Sequence, residues 1–306
     1  MSTTVPPAIA GRRLNVGLAA AVLVLAVVLG LPQPEGLPVA GQRMLAVFCF
    51  AVVVWITEAL DYAVSAIVIG ALIAVLLGVS PDVAKPDAVM GTVRGLGTAA
   101  SGFSNSALIL VAAALFLAAA MTITGLDRRI ALVVLARIGS RSSHATVQAV
   151  SIWNVGIKTA AAQNMVAIGF LQRELGSDIT WLEWFVAAAP FSVAMSIGLY
   201  FVMTRMLPPE SEEIPGGKAS VAAALREMGP MTGVEKRLLL VSLTLLAVWA
   251  TEGVLHRIDS STATVIAIAL LFLPRVGVMD WKRANPQIPW GTIVLFGVGI
   301  SLGTAL

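Results

Sequence analysis

Charge is scarce in this sequence. Only 12% of its 306 residues are charged, whereas 58% are apolar, and the mean hydropathy is +0.91. A soluble domain carries about a quarter charged residues, so this chain could not cover a water-facing surface. Its single cysteine, Cys49, excludes an intrachain disulfide framework and a thiolate metal centre. The two histidines, His144 and His256, lie far apart in sequence and offer no histidine-rich metal or proton-relay chemistry. No intramembrane cluster of His, Asp, Glu or Cys marks a membrane-embedded enzyme or sensor, so the chain reads as no enzyme. The net charge of +3 is small and dispersed, which excludes nucleic acid as a partner.

What the sequence has instead is long apolar runs. About 20 apolar residues cross a bilayer, with shorter runs tolerated when their flanks reach the interface. On that basis spans are expected at 14–31, 44–60, 64–79, 106–124, 186–204, 238–255, 262–276 and 290–306. A ninth, polar candidate covers 145–172. The fold class is therefore an all-α polytopic membrane protein with about 8–9 transmembrane segments. Arg12-Arg13 precedes the first run, but that run is long for a signal peptide and lacks a cleavage pattern, so it reads as a retained anchor. With the N-terminus inside, fourteen basic residues fall in inside segments and five in outside ones. That count requires 145–172 to cross the membrane once, as a broken helix. The polar stretch 207–236 reads as a cytoplasmic linker, with a short surface helix over Ser220–Met228 and Ser220 as its N-cap.

The two halves resemble each other. Trp55-Ile56-Thr57-Glu58 and Trp249-Ala250-Thr251-Glu252 stand 194 residues apart, and each is followed by a polar turn and a small-residue span. By span count the copies run in opposite directions, the inverted repeat common in secondary transporters. Glu58 and Glu252 sit at span ends, where a structural or hinge role is expected of them. Ser104-Asn105-Ser106 reads as a helix cap, and Trp181 and Trp184 read as interface anchors ahead of a span.

Polar groups at membrane depth cluster only in 145–172. Asn154, Gly156, Lys158, Thr159, Gln163 and Asn164 form the candidate substrate- and cation-binding set, with Ser151 beside them. Backbone leaving the helix inside a bilayer is tolerated where it lines a cavity or is shielded by protein. The plainer use of such side chains is to join helices.

Trp55-Ile56-Thr57-Glu58-Ala59-Leu60 and Thr122-Ile123-Thr124-Gly125-Leu126-Asp127-Arg128-Arg129 resemble the divalent anion:sodium symporter family, the permeases of solute carrier family 13. So do Asn164-Met165-Val166-Ala167-Ile168-Gly169, Asp178-Ile179-Thr180-Trp181-Leu182-Glu183-Trp184-Phe185 and Ile288-Pro289-Trp290-Gly291. The resemblance implies a multi-pass homodimer of the inner membrane that moves small organic anions, di- and tricarboxylates, by an elevator step. It implies no cofactor beyond sodium as coupling ion. Sulfate or arsenite is the alternative cargo.

The sequence also departs from that pattern. The family's two hairpins each carry Ser-Asn-Thr, and that tripeptide does not occur here. The first hairpin is expected after Ser142-Ser143-His144, yet the chain passes directly to Val147-Gln148-Ala149. Where members read Thr-Pro and Gly-Thr-Pro-Pro-Asn, this chain has Ile157-Lys158 and Ala161-Ala162-Gln163-Asn164. These departures imply an internally deleted, truncated chain, with a non-functional remnant as the limiting case. The expected organisation is first-repeat scaffold helices over 1–144, a remnant of the first transport half over 145–206, the linker over 207–236, and the start of a second repeat over 237–306. Lys158 stands where the family holds a cation, and two readings of it stay open: its ammonium replaces that ion and faces the substrate carboxylate, or 145–172 packs differently and Lys158 snorkels to an interface.

Overall fold

Each long apolar run becomes a helix, because a helix pairs its own backbone N–H and C=O groups where no water is available. The computed structural model describes residues 7–82, 85, 87–138, 152–161, 163–165, 167–168, 171, 176, 179–206 and 217–306, with side chains from Val16 onward. The helices are α1 (Pro7–Gly30), α2 (Val39–Thr57), α3 (Tyr62–Gly78), α4 (Thr92–Ala100), α5 (Ser106–Thr124) and α6 (Leu126–Ile138). They continue with α7 (Trp181–Met206), α8 (Gly217–Glu227), α9 (Gly233–Ala250), α10 (Ser260–Phe272) and α11 (Trp281–Ala284), and end with α12 (Trp290–Ala305). All eight apolar runs fall on helices. Val39–Thr57, Ser106–Thr124 and Trp181–Met203 are each long and apolar enough to cross a bilayer alone, while Val16–Gly30, Tyr62–Gly78 and Ser260–Phe272 are shorter apolar helices. The protein is an all-α polytopic membrane protein.

The chain divides into two compact units, one of Met1–Leu108 with Pro289–Leu306, the other of Ile109–Ile288. In the first, Met44, Val47, Phe50 and Val54 of α2 pack against Ile69 and Ile73 of α3 and Leu302 of α12. Gln42 donates to the Val28 and Leu31 carbonyls and closes the end of α1. Gly102 meets α12 so closely that a Cβ there would stand 2.0 Å from the Gly297 carbonyl oxygen. Its N–H donates to Ser301 Oγ, which donates onward to Gly297 O. Asn105 caps α5 through its side chain, accepting from Ala107 N–H as expected.

In the second unit, Leu126, Leu238 and Leu271 form a core beside the rings of Phe116, Phe272 and Trp281. A buried ion pair holds α6 to α9. Arg129 Nε lies 2.7 Å from Glu235 Oε1, and Arg129 Nη1 donates to Gly229 O. Glu235 also closes a capping box with Thr232 at the start of α9.

Two expectations change. The helix after the linker begins at Gly217, so Ser220 lies inside it rather than before it; the stretch stays helical from Gly217 because Ala-rich sequence favours it. The linker also ends earlier than 236, because the Thr232–Glu235 box starts α9 at Gly233. The α4 helix was not expected. It is short, and its small residues permit contact close enough that a Cβ on Gly95 would stand 2.3 Å from Ala74 O.

Candidate functional site

The polar segment breaks, as expected. Residues 152–156 are helical, 157–161 turn, and 163–165 are helical again. Breaking a helix frees carbonyls, and those of Asn154, Val155 and Ile157 find side-chain donors. Asn164, buried, donates its amide to Asn154 O at 2.6 Å and to Ile157 O at 2.9 Å. Trp184 Nε1 donates to Val155 O at 2.9 Å, and Trp181 Nε1 reaches Thr159 Oγ1 at 3.4 Å. Trp181 and Trp184 are thus donors to the break rather than simple interface anchors. Phe185 stacks on Trp181, ring centroids 5.4 Å apart, and holds that indole in place. Gly156 packs against α7, where a Cβ would stand 2.6 Å from Ser192 Oγ.

Lys158 sits at the turn and is 5% exposed. Its ammonium donates to Ile179 O at 2.8 Å and to Glu252 Oε2 at 3.4 Å. Glu252 Oε2 also accepts a 2.6 Å bond from Ser260 Oγ at the start of α10. A lysine in a nonpolar surround needs a negative partner, and here that partner is the glutamate of the second Trp-x-Thr-Glu copy. Glu252 was expected to play a structural or hinge role at a span end. Its side chain is only 12% exposed, because the loop after it folds back: Gly253 N–H donates to His256 O, and His256 Nδ1 accepts from Ile258 N–H. Gly253, at φ 79°, also packs on Thr180 too closely for a Cβ.

Of the residues predicted from sequence, the turn brings together Gly156, Lys158, Thr159 and Asn164. Asn154 contributes its carbonyl, while its side chain and that of Gln163 are exposed. Ser151 and the expected start of the broken helix at 145 lie outside the described residues. Glu252, Ser260 and the two tryptophans belong to the site and were not predicted in it. The repeated motif pointed at Glu252, but nothing in sequence paired it with a lysine 94 residues away.

The transmembrane region of sodium:sulfate symporters matches the chain over residues 12–146 and 142–306. The chain belongs to that family. A relative described as a membrane protein of Cupriavidus necator is 49% identical over 344 aligned positions, 96% of this chain and 67% of the relative. The L-tartrate/succinate antiporters of Escherichia coli K12 and Shigella flexneri are each 25% identical, over 92% of this chain and 70% of theirs. The permease is therefore a transport protein of the divalent anion:sodium symporter type and not an enzyme. The family match falls into two stretches that meet at 142–146. The aligned length also exceeds the chain's own, so the relatives have residues with no counterpart here.

Proposed function

We propose that this permease handles small organic anions, di- and tricarboxylates, at the inner membrane, with Lys158 standing in for the coupling cation. The observation that carries the reading is the buried ammonium at the turn of a broken helix, already facing a carboxylate. Half-helix ends and unwound backbone are where secondary transporters hold their cargo and coupling ions. A fixed charge there performs the electrostatic work of a bound sodium ion without needing one. The antiporter relatives support exchange rather than sodium symport. The meeting of the two family stretches at 142–146 supports the expected absence of the first hairpin. A homodimer moving by an elevator step is part of the same proposal.

Binding tests this more directly than flux, because it reads the Lys158 contact itself. Purified permease in lipid nanodiscs should bind succinate or tartrate equally well in sodium and in choline buffer. Lys158→Gln should abolish that binding and leave the helical content unchanged. Strictly sodium-dependent binding that survives Lys158→Gln would contradict the reading. Reconstituted vesicles should show no sodium-driven dicarboxylate uptake above empty controls.

A further inference from the structure

We propose that Glu252 is a built-in competitor for the anion that Lys158 binds. Its carboxylate sits on the lysine when no small-molecule carboxylate is there and yields the ammonium when one arrives. The inference rests on the reading of Lys158 as an anion ligand.

Three observations carry it. The first is the length of the contact. Charge-assisted N–H···O bonds run about 2.7–2.9 Å, and the Lys158–Glu252 contact is 3.4 Å. The lysine's short bond goes to the neutral Ile179 carbonyl, at 2.8 Å. The second is that Glu252 has another anchor. Ser260 Oγ donates to the same oxygen at 2.6 Å, so the carboxylate can leave the ammonium and keep a hydrogen bond. The third is the other copy of the motif. At Trp55–Glu58 a helix also ends, with the same threonine bond to the carbonyl four residues back and a tryptophan that also donates into the next helix, while the Glu58 side chain is exposed and makes no hydrogen bond or ion pair among the described residues. The helix end therefore does not need a cation on its glutamate.

A protein carboxylate in the place of a ligand carboxylate lowers apparent affinity by the fraction of molecules in which the site is occupied from within. It also keeps the buried ammonium neutralised in the empty protein, which an elevator-type carrier needs if its unloaded site is to move through lipid. Lys158 is then paired in both states, and the partner alternates between chain and cargo.

The test is calorimetric titration of sodium succinate into the full chain in nanodiscs, with sodium chloride as the ionic-strength control. Glu252→Gln should bind succinate about tenfold tighter than the unsubstituted permease. Ser260→Ala, which leaves Glu252 with only the lysine, should bind about threefold weaker. The double variant Lys158→Gln/Glu252→Gln should not bind. Equal affinities in Glu252→Gln and the unsubstituted chain, with Lys158→Gln inactive in binding, would overturn the competitor role and leave Lys158 as the ligand. Absence of binding in every variant would overturn the anion reading and the competitor with it. If Glu252→Gln does not fold, Glu252→Asp draws the carboxylate back by one methylene. It should then tighten binding about threefold, and unchanged affinity would overturn the proposal.

Discussion

The hairpins α2–α3 and α9–α10 share several bonds and part at the loop that carries the glutamate. In both, a tryptophan indole donates toward the start of the next helix, Trp55 to Ser65 Oγ and Trp249 to Ser260 O, each at 3.2 Å. In both, the threonine after it bonds back to the carbonyl four residues earlier, Thr57 to Val53 O and Thr251 to Ala247 O. An aspartate caps the next helix in each, Asp61 accepting from Ala63 N–H and Asp259 from Ser261 N–H. Arg43 reaches Leu76 O near the end of α3, and Arg237 reaches Arg275 O in the turn after α10. The glutamates part ways. Glu58 ends its helix in the left-handed conformation, φ 50°, and points out. Glu252 is folded in by a longer loop and meets Lys158. Shared bonds are what the helix end requires; the unshared one is where function is to be sought.

The largest expected effect is at the glutamates. In anion-free buffer, Glu252→Gln leaves a buried ammonium without its counter-charge and should cost about 3 kcal/mol, the low end for a broken buried pair. Glu58→Gln should change stability by less than about 0.5 kcal/mol, as an exposed residue. Denaturant melts in mild detergent measure both. Equal losses would mean that the two copies do the same structural job, and the comparison would fail.

At the break, Trp184→Phe removes the donor to Val155 O and should cost about 0.5–1 kcal/mol, since the bond is exposed and water can replace the donor. The same melts check it. Replacing Trp55 or Trp249 by Phe should cost about 1 kcal/mol each and, unlike the glutamates, by the same amount in both hairpins.

The smallest effects are at the caps. Asp61→Ala and Asp259→Ala should each cost about 1 kcal/mol. Burial raises the Asp259 carboxyl's pKa, but the Thr262 hydroxyl and the Thr262 and Ser261 N–H groups outweigh it and hold it below the usual range. A lowered folded-state pKa gives stability that is present above the unfolded value, about 3.9 for Asp, and is lost as pH falls through the folded one. Acid melts of Asp259→Asn should therefore lack the part of the acid loss shown by the unsubstituted chain below about pH 4.

Much of this was legible in sequence. Eight apolar runs marked eight helices because lipid leaves the backbone no other solution. The repeat was visible because tryptophan, threonine and aspartate each make a local bond that demands their residue type. The break was visible at Asn154–Asn164, where polar residues interrupt an apolar run. Long-range pairing was not visible. Lys158 shows in sequence that it needs a partner, but which carboxylate meets it depends on how the 252–258 loop folds back. Asn164 and Trp184 looked like ligand and interface anchor because an amide or indole that serves a freed carbonyl has no distinct sequence signal. The α4 helix was too short and too rich in glycine to register.

The central claim is that Lys158 trades a protein carboxylate for a cargo carboxylate. A double-mutant cycle between Lys158→Gln and Glu252→Gln tests it most directly, run on stability without anion and again in saturating succinate. The account predicts a coupling of about 1–3 kcal/mol without anion that falls toward zero in succinate. A coupling of the same size in both buffers would contradict it.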